Sequence, residues 1–209
     1  MARNRPSGRS NRYVFLNAPF DAGYQPLFEA LVFVVMDCGF VPRCALENSD
    51  GGEVRLDKLV SLIRECDHGI HDISCTELDR KNRLPRFNMP FELGLFLGAK
   101  RFGKGRKRCL ILDRERYRFQ KFLSDIAGQD PRSHDDDPPK LIAAVRDWLA
   151  EAIRPVTVPG GREIYAKHRR FKQNYPRLCR ASKLDQTRFN FNDYCQLISV
   201  WLQELPAVS

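Results

Sequence analysis

Short apolar runs alternate along this chain with longer amphipathic segments, and this alternation constrains the fold more than any other feature. The apolar runs that we predict as strands are 13–17, 40–46, 69–74 and 108–112. The segments between them, 24–38, 53–66 and the stretch that follows Arg86, carry apolar residues at helical spacing. A β-α-β-α-β-α-β order needs crossover connections, which make the strands parallel and place helices on both faces. The sequence therefore predicts an α/β domain.

The chain beyond residue 113 is less regular. We predict further helices and a short fifth strand, the helices at 117–127, 141–153, 163–174 and 192–205 and the strand between Ile126 and Ser133. A connector at 155–161 holds two prolines and a Gly-Gly pair. We accordingly divide the chain into a basic flexible tail (1–12), an α/β domain (13–154) and a basic helical appendage (155–209), which is too short to be an independent domain.

Composition argues against several classes of protein. No run of 18 apolar residues occurs and the first residues are basic and polar, so we expect a cytoplasmic protein without membrane contact. The seven cysteines have no C-x-x-C spacing, which favours reduced buried thiols over disulfides or a zinc site. His68 and His71 lie three apart on a predicted strand and should point to opposite faces, so we expect no metal site there.

The net charge of +9 is concentrated in three basic clusters. They comprise Arg3, Arg5, Arg9 and Arg12; Lys100, Arg101, Lys104, Arg106, Lys107 and Arg108; and Lys167, Arg169, Arg170, Lys172, Arg177, Arg180 and Lys183. Solvated surface explains such clusters, and so does attraction of phosphate-bearing ligands from nucleotides up to nucleic acid. Charge alone does not decide between these interpretations.

Polar residues follow the predicted strands and should converge on one crevice, because ligands of open parallel sheets bind beyond the carboxyl ends of the strands. The residues that arrive there are Asn17, Pro19, Phe20 and Asp21 after the first strand, Arg43 and Glu47 near the second, Asp72 and Ser74 after the third, Asp113 after the fourth, and Asn88 and Glu92 at the next helix. Tyr24 and Arg86 are further candidates for substrate binding. No G-x-G-x-x-G, P-loop or G-x-S-x-G pattern accompanies them. The side chains available for catalysis or ligand binding are thus carboxylates, an amide and arginines.

The helix that contains Glu92 is central to the site. We predict Asn88 as its N-cap and Glu92 in its first turn, where the helix dipole should keep the carboxylate ionised at neutral pH. Gly94 and Gly98 form a strip of small residues on one face, where a neighbouring element can approach closely. Capping alone explains a glutamate in a first turn, just as a loop cap explains a carboxyl such as Asp72 at a strand end.

Three segments of the chain resemble the nucleoside 2-deoxyribosyltransferase family over roughly residues 13–130. They are Asn17-Ala18-Pro19-Phe20-Asp21, Asp72-Ile73-Ser74, and Asn88-Met89-Pro90-Phe91-Glu92-Leu93-Gly94 with Leu97-Gly98-Ala99-Lys100. The chain resembles more distantly the TIR domains that hydrolyse NAD, and the resemblance implies a flavodoxin-like sheet. In both families a glutamate early in the helix after a middle strand acts at the anomeric carbon of an N-glycoside. Carried over, Glu92 matches that glutamate, Asp72 the strand-end acid, and residues 17–21 the loop that lies against the sugar.

The chain departs from the transferase pattern directly before the glutamate. That family has Asp-Pro-Gly-Thr there, whereas this chain has Arg86-Phe87-Asn88-Met89. An arginine at this place fits a phosphorylated substrate better than a free nucleoside. The resemblance therefore implies an N-glycosidase with a nucleotide or NAD(P) as substrate and no cofactor. Glu92 would stabilise the positive charge on the sugar or form a covalent intermediate, and Asp72 would position a hydroxyl or donate to the base.

Two other functions fit the same residues. A non-catalytic sensor of a nucleotide or a nucleotide-derived signal would bind phosphate through Arg43 and Arg86, with Glu92 only capping its helix. Nucleic acid could instead bind the basic clusters, with a steep dependence on salt. From the families, the resemblance also implies a homo-oligomer and a role in bacterial defence against phage.

Overall fold

The computed structural model describes residues 11–47, 51–78 and 83–205. The predicted tail at 1–12 therefore lies almost wholly outside the described residues, as do Arg3, Arg5 and Arg9 and the loop at 48–50.

Within the described residues, a five-stranded parallel sheet forms the centre of the fold. Its strands are β1 (Tyr13–Asn17), β2 (Val41–Arg43), β3 (His68–Asp72), β4 (Arg108–Asp113) and β5 (Arg132–Ser133). They lie in the order β2-β1-β3-β4-β5, and all adjacent pairs run parallel. The predicted α/β, flavodoxin-like sheet with helices on both faces is confirmed. Strand β2 lies at the edge, as expected of a strand that contains Pro42.

The part of the chain that the structure describes forms six α-helices. They are α1 (Gln25–Asp37), α2 (Arg55–Glu65), α3 (Asn88–Phe102), α4 (Pro138–Ala152), α5 (Gly161–Ala181) and α6 (Phe191–Glu204). The alternation of side chains along β1 separates the two layers, because Val14 and Leu16 pack with α1 and α4 whereas Phe15 packs with α2 and α3. Helices α5 and α6 pack on α1 and share its apolar cluster. Among the described helices, none is both long and apolar enough to cross a bilayer.

The two histidines of β3 point to opposite faces of the sheet, as predicted. The ring of His68 lies 5.8 Å from that of Trp148 on α4, whereas the ring of His71 lies 4.8 Å from that of Phe96 on α3. Between them, Gly69 leaves room for Phe96, because a Cβ at residue 69 would lie 2.6 Å from its ring. Within the described part of the chain, no group of three or more His, Cys, Asp or Glu could hold a metal ion.

The structure differs most from the predicted elements in two places. Residues 117–127 form two short 3-10 helices, Arg118–Lys121 and Ser124–Ile126, instead of one α-helix. Tyr117, with φ of +62°, breaks the helical path at its start. Helix α5 continues past Asn174 and through Pro176, because its buried apolar face extends to Leu178.

The close approach predicted at Gly94 and Gly98 is wrong. A Cβ built at either residue meets no described atom within 4 Å. These glycines therefore add conformational freedom to α3 without allowing a closer contact.

Candidate functional site

The carboxyl ends of β1 and β3 lie side by side where the strand order reverses, and Asn17 joins them to the start of α3. Its side-chain amide donates to the Met89 carbonyl (2.9 Å) and to His71 Nδ1 (3.0 Å). Both partners accept, which fixes the orientation of the amide and leaves the His71 ring proton on Nε2. Burial lowers the pKa of His71 to about 3, so the ring is neutral. Asn17 Oδ1 is buried without a partner among the described residues.

A closed hydrogen-bond network surrounds Asp72 at the end of β3. Its Oδ2 accepts from the Tyr24 hydroxyl and from His134 Nε2 (3.0 Å), and its Oδ1 accepts from the Ser74 hydroxyl and backbone N–H (2.9 Å). The Asp136 N–H donates to His134 Nδ1 (3.1 Å), which places the proton of the neutral ring on Nε2. Asp72, Ser74 and His134 are fully buried. The network therefore ties α1, β3 and the segment after β5 together.

Asp72 is held in its ionised form. Burial by itself would raise the pKa of the carboxyl, but the hydrogen bonds from His134, Ser74 and Tyr24 outweigh it, and the net shift is downward. Each oxygen already accepts two hydrogen bonds, so none is open to a substrate. The geometry makes Asp72 an anchor for the segments at the carboxyl end of β3 rather than a group that a substrate can reach.

Arg118 fixes the adjacent loop. Its guanidinium donates to Asp113 Oδ1 (2.6 Å) and to the carbonyls of Ile73 (2.9 Å) and Ser74 (2.8 Å). The end of β4 is thereby fastened to the chain that leaves β3. Because its guanidinium is occupied by two carbonyl oxygens and a carboxylate oxygen, Arg118 has a structural role.

Glu92 has a different environment from the one predicted. Helix α3 begins at Asn88 with Phe87 as its N-cap, so Asn88 is not the cap and Glu92 is the fifth helical residue, beyond the first turn. Its carboxyl has no hydrogen bond from the described residues, and the nearest cation, Arg55 Nη2, lies 4.0 Å from Oε1. Burial raises the pKa of Glu92 to about 7, against a smaller opposing effect of Arg55. The expectation of a fully ionised carboxylate at neutral pH is therefore wrong.

The polarity of α3 is inverted around Glu92. Glu92 is 6% exposed, whereas Phe91 is 55% and Phe87 66% exposed. Rotating the helix to bury Phe91 would be the ordinary outcome of the hydrophobic effect, and it would place the carboxyl in water. An inward carboxyl beside outward aromatic rings costs stability, which is typical of a functional site.

An ion pair connects two loops beyond the carboxyl ends of β1 and β3. Arg86 Nη1 binds both carboxylate oxygens of Asp21, at 2.5 and 2.7 Å, which joins the loop after β1 to the segment before α3. Phe20 is partly exposed and its ring packs edge-on against Phe28 at 5.3 Å. Pro19 is buried beside it, and Asn88 is exposed at the start of α3.

Arg43 does not join this group. It lies level with Phe15 in the middle of β1, two residues short of Asn17. Its guanidinium binds Glu47 (2.7 Å) and Glu65 (3.0 Å) at the edge of the sheet. Binding a phosphate there would require the loss of both ion pairs.

The structure thus brings Tyr24, Asp72 and Ser74 into contact and joins Asp21 to Arg86, and it adds residues that the sequence reasoning missed. His134 was missed because it follows β5, a two-residue strand with little apolar signal. Arg55 was missed because it is the first residue of α2 and comes close to Glu92 only through the packing of α2 on α3.

A scan against models of known protein families finds no match for this chain, and a search of curated proteins finds no similar sequence. The fold nevertheless defines a class, an α/β protein with a flavodoxin-like parallel sheet. Within it, the site is marked by one buried and weakly paired carboxyl, Glu92, near the carboxyl edge of the sheet.

Proposed function

We propose that this protein is an N-glycosidase that cleaves the base–ribose bond of a nucleotide or of NAD(P), with Glu92 as the catalytic carboxylate. The observation that carries the proposal is the inward carboxyl of Glu92, with a pKa of about 7 and no hydrogen bond from the described residues. The resemblance of Asn88-Met89-Pro90-Phe91-Glu92-Leu93-Gly94 to the deoxyribosyltransferase motif supports the same residue.

The chemistry matches this environment. When the bond between C1′ and the base nitrogen breaks, its electron pair leaves with the base and positive charge develops on the sugar ring. An ionised Glu92 stabilises that charge or bonds to C1′ until water replaces it. A carboxylate in a poorly solvated place acts more strongly than one in water, because its field is less screened.

Residues that neighbour Glu92 in space or in sequence offer groups that suit a nucleotide. Arg55 is exposed near Glu92 and supplies positive charge for a phosphate. Phe87 and Phe91 expose aromatic rings on which a base can stack. Arg86 can serve the same phosphate once Asp21 releases it. In this scheme Asn17 and Asp72 act as positioning residues that hold the ends of β1 and β3.

The test is a chromatographic assay of the purified protein against NAD, NADP and a panel of nucleoside mono- and triphosphates. Free base should appear with the wild type and not with Glu92→Gln. Glu204→Gln, an exposed change of the same kind on α6, is the matched control and should keep full activity. Because the active form is ionised, kcat/KM should rise with pH and level off above about 7. Equal activity of wild type and Glu92→Gln would refute the assignment.

A nucleotide sensor is the second candidate, and the pKa of Glu92 favours it in one respect. Near neutral pH about half of the carboxyl is protonated and can donate a hydrogen bond to a ligand without any reaction. A sensor would release no base, but nucleotides would raise the unfolding temperature of both the wild type and Glu92→Gln. That pair of results would show that the protein binds nucleotides without cleaving them.

A further inference from the structure

One side of helix α5 presents a row of arginines to solvent. Arg162, Arg169, Arg177 and Arg180 are exposed and together form what we call the arginine face. At 100° per residue they lie within an arc of about 80°, and they extend over about 27 Å of the helix. The same arc also contains Ala166 and Gln173, and no acidic residue of α5 lies on it.

The arginine face is held on a rigid support. The opposite side of α5 is buried through Ile164, Phe171 and Leu178, which pack into the cluster that contains α1. A basic row on a fixed helix loses little conformational freedom on binding, because only the side chains become ordered.

The other basic groups of α5 are neutralised by neighbours. Lys167 binds Asp37 (3.1 Å), Lys172 binds Glu29, and Arg170 binds Glu163 (3.4 Å). The four residues of the arginine face have no carboxylate partner within the described ranges. Their charge is therefore uncompensated along the length of the row.

We propose that the arginine face binds the phosphate backbone of nucleic acid. Guanidinium groups bind phosphate oxygens through paired N–H donors, and a duplex presents about one charge per 1.7 Å of its axis, so phosphates are available along the whole row. A membrane surface fits less well, since the face exposes no large apolar side chain that could enter a bilayer. The binding reads no sequence, because it contacts the backbone only.

The proposal has a quantitative consequence. Contacts from four arginines release the counterions of up to four phosphates, which gives a slope of about −3.6 for the logarithm of the binding constant against that of the salt concentration. Affinity should fall roughly 100-fold between about 50 and 200 mM salt. This surface lies on a different element from Glu92, so the inference does not depend on the glycosidase.

Fluorescence anisotropy with a labelled DNA duplex longer than α5, over a series of salt concentrations, tests the proposal. The double variant Arg169→Gln/Arg177→Gln removes two contacts and should reduce the slope by about 1.8, with affinity at low salt at least about 10-fold weaker. Glutamine keeps a helix propensity close to that of arginine, and an unchanged thermal transition verifies the fold.

The matched control is Arg101→Gln/Arg106→Gln, which removes the same charge from exposed residues of another basic cluster. It should leave the slope and the affinity close to those of the wild type. Equal losses in both variants would show attraction by net charge alone and would overturn the proposal. Binding to phosphatidylserine-containing vesicles without binding to the duplex would also overturn it. Glu92→Gln should bind the duplex like the wild type.

Discussion

At the scale of single residues, two carboxyls of similar burial have opposite properties because of their partners. Asp72 accepts four hydrogen bonds and its pKa is lowered despite burial. Among the described residues, the only charged partner of Glu92 is Arg55 at 4.0 Å, and burial raises the pKa of Glu92 to about 7. The first carboxylate stabilises the fold, whereas the second is kept at a cost to stability, and this contrast separates an anchor from a reactive group.

The raised pKa of Glu92 predicts how stability depends on pH. The folded protein holds the proton up to about pH 7, whereas the unfolded chain releases it near the ordinary value of 4.5. The free energy of unfolding should therefore fall as pH rises from 4.5 to 7 and level off above, by up to about 3 kcal/mol. Glu92→Gln should lack this fall, so it should match the wild type at pH 5 and exceed it at pH 8.

Urea unfolding of both proteins across that pH range measures the difference. Glu204→Gln again serves as the control, since an exposed carboxyl should not alter the profile. Parallel curves for wild type and Glu92→Gln would mean that Glu92 has an ordinary pKa in the folded protein.

At the scale of elements, local periodicity was sufficient to predict most of the fold. Strands β1 to β4 and the helices around them were identified from runs of apolar residues. The rotation of α3 about its axis could not be predicted. It depends on how Phe96 fits over Gly69, which is a contact between distant parts of the chain. For the same reason the burial of Glu92 beside exposed Phe91 was invisible in the sequence.

Gly69 lies against a neighbouring ring whereas Gly94 faces open space, so substitution by alanine should have opposite effects at the two residues. Gly69→Ala should destabilise the protein by about 1–3 kcal/mol, because the new Cβ would lie 2.6 Å from the Phe96 ring in the central strand. Gly94→Ala should stabilise it by about 0.5–1 kcal/mol, since α3 gains a better helix former in open space. Thermal and urea unfolding of the two variants give the signs. A destabilising Gly94→Ala would mean that a close contact forms at α3 after all.

At the scale of the whole molecule, the C-terminal helices complete the core that α1 begins. Phe33 on α1 lies 5.6 Å from the ring of Phe171 on α5 and 5.9 Å from that of Trp201 on α6. Without those helices this side of α1 would expose an aromatic surface, which is costly in water. We therefore expect the segment 155–209 to unfold together with the sheet. The cytoplasmic location, the homo-oligomer and the role in defence stay predictions.

The two tryptophans of the chain allow a direct test of that cooperativity. Trp148 on α4 contacts His68 of the sheet, whereas Trp201 on α6 contacts Phe33 and Phe171. Trp148→Phe leaves Trp201 as the fluorescent reporter of the C-terminal helices, and Trp201→Phe leaves the reporter of the sheet. In each variant the urea midpoint from fluorescence should coincide with that from far-UV circular dichroism, because one shared core unfolds in one step.

The midpoints from fluorescence and circular dichroism must be compared within each variant, because the loss of an indole ring gives each variant its own stability. One-step unfolding requires that they coincide in both. If Trp201 fluorescence changes at a lower urea concentration than the circular dichroism, the C-terminal helices detach first, and the core around Phe33 contributes less to the sheet than its packing indicates. A single transition in both proteins would instead mean that α5 stays packed on the core until the protein unfolds, as a rigid support requires. The four arginines on its exposed side would then be fixed relative to the sheet until the whole chain unfolds.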